Sequence, residues 1–240
     1  MSEVNQKTIS KGFILFSQRW LEFHWRSLLL IVFGVYLPLA IFIILATQIW
    51  QHEGGLAWDT TILMAIHQTA QTPLDWIATY LTKFGTRWGV IPFTVVFSLV
   101  LIARKRWRSF LYFLITMTGC GITNLTAKAL LHRVRPRLWE YQGHTDFSFP
   151  SGHAMASMAL IAALIVLTQR THWCKWIVFV GGAFVVAIGW TRLYLGVHYP
   201  SDIIAGWMLS ITWAVGVSFL VKPQPLVAVR PVEETIAQEP

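Results

Sequence analysis

Charge is the first thing this chain has little of. Asp, Glu, Lys and Arg together make up 12% of its 240 residues, against about 25% in an ordinary soluble domain. That density does not cover a water-facing surface and argues against a soluble globular chain. Cysteine is scarcer still, with two residues. Cys120 falls inside an apolar segment and Cys174 in a short basic loop, which makes neither a disulfide framework nor a metal-ligand spacing. There are 11 acidic residues. Glu53, Asp59, Asp75, Glu140 and Asp146 among them stand at no spacing that would build a metal site. Internal repeats and low-complexity tracts are also missing. About 26 polar and amphipathic residues precede the first apolar run, so no cleavable leader is expected.

What is present is apolar. Hydrophobic residues make up 55% of the chain, with 13 Trp and 15 Phe, and the mean hydropathy is +0.55. This composition points to an all-α polytopic membrane protein. The net charge of +8 would suggest nucleic acid as a partner in a soluble protein. Here the basic residues lie beside apolar segments, so they read as topology determinants and anionic-lipid contacts, and no nucleic-acid partner is expected.

Phe13, Phe16, Trp20 and Phe23 recur at helical spacing among Lys11, Arg19 and Arg26, which predicts an interfacial helix within residues 1–26. A first span follows at 27–49, with a bend expected at Pro38. Residues 51–86 are less apolar and read as two short helices on or near the surface, on either side of Thr72-Pro73. Five more spans are expected near 88–102, 109–131, 153–168, 176–191 and 202–221. The expected organisation is therefore an N-terminal interfacial segment (1–26), a six-span domain (27–221) and a polar, disordered cytoplasmic tail (222–240). With six spans both termini share a side. Lys7, Lys11, Arg19, Arg26, Arg104, Lys105, Arg106, Arg108, Arg170, Lys175, Lys222 and Arg230 fall on it, 12 of the 19 basic residues. The positive-inside rule makes that side cytoplasmic.

Three polar clusters fall at the opposite, non-cytoplasmic ends of the spans. They are Lys128-x6-Arg135-Pro136, then Pro150-Ser151-Gly152-His153, then Thr191-Arg192-x5-His198-x3-Asp202. Lys128, Arg135 and Arg192 are cations without an obvious carboxylate partner in the sequence, and three such cations on one site suit a multiply charged anion such as phosphate. Ser151 and Gly152 open a helix whose first N–H groups and positive dipole end add a second anion-binding element. His198 and Asp202 stand four apart, a spacing that allows a carboxylate to orient an imidazole and raise its basicity, as a nucleophile requires. His153 is then the group that protonates a departing oxygen. The cations take the place of metal ions, so no metal or other cofactor is expected.

These clusters resemble the signature of the type 2 phosphatidic acid phosphatase superfamily, which also includes the vanadium haloperoxidases: K-x6-R-P, P-S-G-H and S-R-x5-H-x3-D. Every position matches except the opening serine of the third motif, which is Thr191 here and keeps a hydroxyl. The resemblance implies a six-span core and a metal-independent phosphohistidine mechanism. It assigns phosphate binding to Lys128, Arg135, Ser151, Gly152, His153 and Arg192, the general acid to His153, the nucleophile to His198 and its orienting partner to Asp202. It also implies a membrane lipid phosphate as substrate, such as undecaprenyl pyrophosphate, phosphatidylglycerol phosphate or phosphatidic acid. The short loops favour a bacterial inner-membrane enzyme. The rival readings are a lipid phosphotransferase built on the same site and, from another class, an anion transporter. Arg133, Arg137, His132 and His144 flank the motifs and are expected to meet lipid headgroups or water. Trp139, Trp190 and Tyr194 are candidate rim contacts, while His67 and Cys120 read as structural.

Overall fold

The computed structural model describes residues 22–51, 56–136 and 146–226, and among these the secondary structure is helical throughout, without strands. The expected interfacial helix lies almost wholly outside the described residues, as do Arg137, Trp139, Glu140, His144 and Glu53.

Helix α1 runs from Glu22 to Gln51 and widens into a π-turn at Val32–Tyr36, where the Leu37 N–H reaches back to the Val32 carbonyl. Pro38 explains the irregularity where a bend was expected. It has no N–H, and its ring crowds the carbonyl four residues back, at Gly34, so the ladder opens by one residue just before it. Two shorter helices follow, α2 (Ala57–His67) and α3 (Thr72–Phe84, opened by Pro73). Then come α4 (Val90–Ala103), α5 (Trp107–Leu131), α6 (Gly152–Thr168), α7 (Trp173–Tyr194) and α8 (Pro200–Val221). Helices α1, α5, α7 and α8 are long and apolar enough to cross a membrane, whereas α4 and α6 are apolar but shorter.

The centre of the molecule is the α6–α8 pair, flanked by α5 and α7 on α6 and by α1 on α8. Small buried residues make the close approach possible: Ala154, Ala159 and Ala163 on α6, with Ala205, Gly206 and Ala214 on α8. A Cβ added at Gly206 would come within 3.2 Å of both the Ser151 carbonyl and Met155 Cγ, so the lack of a side chain there sets the α6–α8 distance beside the motif residues. Polar side chains are spent between helices. Tyr112 Oη donates to the Ala214 carbonyl at 3.1 Å, Trp213 Nε1 to the Ile115 carbonyl at 3.2 Å, and Ser210 Oγ to the Met155 carbonyl at 3.0 Å. This is the economy of a bilayer interior, where small residues pack and interhelical hydrogen bonds help to hold the bundle. The outer surface completes the picture, because Ile43, Leu99, Leu125 and Phe179 are exposed. Such a surface suits lipid and identifies an integral membrane protein.

Two features add to the expected layout. Helices α2 and α3 do not simply lie on the surface. Asp59 and Leu63 of α2 and Ala78 and Thr82 of α3 are buried, and both helices pack on α7. The first residues of the tail are also held in place: Ser109 Oγ donates to the Gln224 carbonyl at 2.8 Å, and the Leu226 N–H to the Leu167 carbonyl at 2.6 Å.

Candidate active site

The three motifs meet at one end of the bundle. Motifs one and three touch directly: Arg135 Nη1 lies 3.0 Å from His198 Nε2 and donates to the Val197 carbonyl at 2.8 Å. Motifs two and three are joined by the Ser151 N–H, which donates to the Asp202 carbonyl at 3.1 Å. His153 and Arg192 converge on the end of α3. Thr86 Oγ1 lies 3.3 Å from His153 Nε2, and Arg192 Nη1 donates to Thr82 Oγ1 at 2.9 Å.

His198 is buried in the loop between α7 and α8, with Nδ1 3.3 Å from Asp202 Oδ2. A guanidinium N–H can only donate, so Nε2 accepts from Arg135 and the ring proton belongs on Nδ1, facing Asp202. That tautomer leaves the Nε2 lone pair on the side of the cations. Asp202 also accepts the Tyr199 N–H at 2.9 Å, which ties the carboxylate to the first turn of α8.

Pro150-Ser151-Gly152-His153 opens α6 as expected. Helix geometry leaves the N–H groups of Gly152, His153 and Ala154 without intrahelical acceptors. Ser151 Oγ is buried without a hydrogen-bond partner among the described residues, as suits a group kept for a ligand. Asn124, one turn before Lys128 on α5, braces this turn by donating from Nδ2 to the Pro150 carbonyl at 2.9 Å. Its side-chain oxygen lies 3.2 Å from where a Gly152 Cβ would be, so the turn is closely packed.

The cations are not bare. Asp146 pairs with both Lys128 and Arg135, with Arg135 Nη2 at 2.8 Å from Oδ1 and Lys128 Nζ on Oδ2. Burial alone would raise the Asp146 carboxyl, but Lys128 and Arg135 outweigh it and hold the group well below the usual carboxylate range. Arg133, expected to face headgroups or water, is buried. Its Nη1 donates to Asp202 Oδ1 at 2.5 Å and to Ser201 Oγ at 2.7 Å, and its Nη2 to Asp59 Oδ2 at 2.7 Å. Tyr194 is no rim contact either: its buried hydroxyl donates to Asp75 Oδ1 at 2.7 Å and accepts from the Gln71 N–H at 3.1 Å. Thr191 Oγ1 donates to the Ile188 carbonyl at 2.7 Å, so the hydroxyl that replaces the family serine serves its own helix. Among the described residues no three His, Cys, Asp or Glu side chains group as metal ligands would.

Sequence reading missed Asp59, Thr82, Thr86, Asn124 and the roles of Arg133 and Asp146. Asn124 alone had a local signal, four positions before Lys128 on one helix face.

A buried imidazole paired with a carboxylate, beside an arginine and a helix N-terminus, sits at one end of a membrane helix bundle, an arrangement that suits a phosphate-type anion. Known proteins agree with this class. The PAP2 superfamily model matches residues 109–224. Phosphatidylglycerophosphatase B of Bacillus subtilis is 30% identical over 186 residues, which is 74% of this chain and 91% of that protein. An undecaprenyl-diphosphatase of Sulfolobus acidocaldarius is 27% identical over 174 residues, covering 70% and 79% of the two chains. The crystal structure of a transmembrane PAP2-type phosphatidylglycerolphosphate phosphatase from Bacillus subtilis superposes with a TM-score of 0.67 at 27% identity, over 78% of this chain and 95% of that one. The chain belongs to the PAP2 superfamily.

Proposed function

We propose that this PAP2-family lipid phosphatase hydrolyses the phosphomonoester or diphosphate of a membrane lipid through a phosphohistidine on His198, without a metal ion. The observation that carries the reading is the environment of His198, with Asp202 on Nδ1 and Arg135 on Nε2. In the reaction Arg135 turns from Nε2 to a phosphate oxygen, and Nε2 attacks phosphorus in line with the leaving oxygen. The P–O bond breaks as the P–N bond forms, and His153 gives its proton to the departing alkoxide or phosphate. His153, now neutral, takes a proton from water. The hydroxide attacks the phosphohistidine, phosphate leaves, and the Nε2 lone pair returns. Lys128, Arg135, Arg192, Ser151 Oγ and the N–H groups at the start of α6 hold the charge on the equatorial oxygens.

Six spans are the reading favoured for the 27–221 domain: the four long helices together with α4 and α6. Both termini are cytoplasmic, and the site opens at the non-cytoplasmic face of a bacterial inner membrane. Exposed tryptophans at both ends support a bilayer position, with Trp107, Trp173 and Trp176 at one end and Trp50, Trp76 and Trp88 at the other. The names of the relatives suggest an isoprenoid diphosphate or phosphatidylglycerol phosphate as substrate.

The test is phosphate release by purified protein in detergent with EDTA, from undecaprenyl diphosphate, phosphatidylglycerol phosphate and phosphatidic acid. Release is expected to persist in EDTA and to fall by roughly 10³-fold or more in His198→Ala. Release that stops in EDTA, or that survives the substitution, overturns the mechanism.

A further inference from the structure

Behind the His198–Asp202 pair lies a second layer that the reaction does not need in order to be written. Arg133 is buried between two carboxylates, Asp59 of α2 and Asp202 of α8. Asp59 is itself fully buried; it accepts the Ser201 N–H on Oδ1 at 2.8 Å and the Ser201 hydroxyl on Oδ2 at 2.5 Å. The guanidinium also lies over the Tyr199 ring, 4.1 Å from its centroid.

Charge counting shows what this layer does. With neutral His198, Arg133, Asp59 and Asp202 sum to one negative charge. When Nε2 bonds to phosphorus the ring takes on imidazolium character, and that negative charge is its counter-charge. Without Asp59, Arg133 would pair with Asp202 alone, and the developing positive charge on His198 would have no net partner behind it. We infer that Asp59 is a positioning residue: by neutralising Arg133 it leaves the charge of Asp202 to His198, while Arg133 and Ser201 fix the direction of the carboxylate. The inference rests on the reading of His198 as the nucleophile.

Other charged and titratable groups lie at the same end of the bundle as His198. Arg135 lies on Nε2, with Lys128 reaching it through Asp146, while Arg192 of α7 is bonded to Thr82 and His153 of α6 lies beside Thr86. These remain in place when the rear layer is changed, so opposite changes in that layer should move His198 in opposite directions. Removing the negative charge of Asp59 disfavours the imidazolium, and removing the positive charge of Arg133 favours it.

The direct test follows the titration of His198 by NMR of ¹⁵N-histidine-labelled protein in detergent, with its resonances assigned by difference from His198→Ala. In Asp59→Asn, close in shape to the native residue, the midpoint should fall on the order of half a pH unit. In Arg133→Gln it should rise by a similar amount. Because Arg133→Gln leaves two buried carboxylates facing each other and risks misfolding, Asp59→Asn carries the decision. A midpoint unchanged or raised in Asp59→Asn overturns the inference, since a purely structural strut would not produce the fall. This readout needs no turnover, so it stands apart from any failure of the proposed reaction. In the lipid assay, Asp59→Asn should lower kcat about tenfold at constant KM and move the acid limb of the kcat–pH profile downward. A change in KM alone would count against it.

Discussion

Asp146 holds the two cations that the reaction assigns to phosphate, and at the scale of single residues this has a consequence. Its carboxylate takes N–H donors from Lys128 and Arg135 that a phosphate oxygen needs, so the anion must displace it or share. Asp146→Asn should therefore tighten inhibition by orthovanadate or inorganic phosphate roughly 2–5-fold, the scale of a half-exposed ion pair. Weaker inhibition would instead make Asp146 a support for the cations. The pH dependence follows from the direction of the shift. A carboxyl held below its ordinary range is ionised throughout neutral and mildly acidic conditions, and its pairing is lost only as pH falls through that depressed value. The ratio of inhibition constants should thus be flat between about pH 5 and about pH 8. The residues that meet at this site fall into two kinds. Lys128, Arg135, Ser151, Gly152, His153, Arg192, His198 and Asp202 were legible in the sequence because each stands at a fixed distance from a partner within one short segment. Arg133 and Asp59 were not, because their ion pair joins positions 74 apart. No local spacing encodes that, and an arginine near a membrane surface reads as a headgroup contact until its burial is seen.

At the scale of elements, the apolar segments were legible within a few residues, since a helix that faces lipid announces itself by composition. Helices α2 and α3 were harder because each buries so little: Asp59 and Leu63 on one, Ala78 and Thr82 on the other, a single i, i+4 stripe apiece. Yet α3 brings Thr82 to Arg192 and leads to Thr86 beside His153. Its N-terminal end is pinned to α7 by the Tyr194 hydroxyl, bonded to Asp75 and Gln71. Tyr194→Phe removes those bonds and keeps the ring, at a cost of about 1–2 kcal/mol. Thermal unfolding in detergent should show the midpoint lowered by a few degrees. Because α3 positions Thr82 and Thr86, kcat should fall with it. A lowered midpoint with unchanged kcat would mean that α3 stabilises the fold without shaping the site.

At the scale of the whole molecule, the charge asymmetry sharpens once the paired cations are set aside. Lys128, Arg133 and Arg135 pair with buried or partly buried carboxylates, and Arg192 with Thr82. Cations held in this way are poor reporters of topology. Lys83, held over the Tyr80 and Trp88 rings at 4.6 and 4.7 Å, is an interfacial anchor. At the opposite end Arg104, Lys105 and Arg106 lie between α4 and α5 with Arg108 in the first turn of α5, and Arg170 lies between α6 and α7 with Lys175 in the first turn of α7. Under the six-span proposal, the positive-inside rule puts that end in the cytoplasm. Cys174 lies at that end, half-buried, whereas Cys120 is buried in the bundle. A membrane-impermeant maleimide should therefore fail to label Cys174 in intact cells and label it after permeabilisation. Thr69 lies exposed in the turn between α2 and α3, three proposed spans away. Thr69→Cys in a Cys174→Ser background should label in intact cells. The inverted pattern would keep the six-span reading and reverse its orientation. Equal accessibility of the two positions would place them on one side of the bilayer, and then α4 and α6 would not both cross with α5.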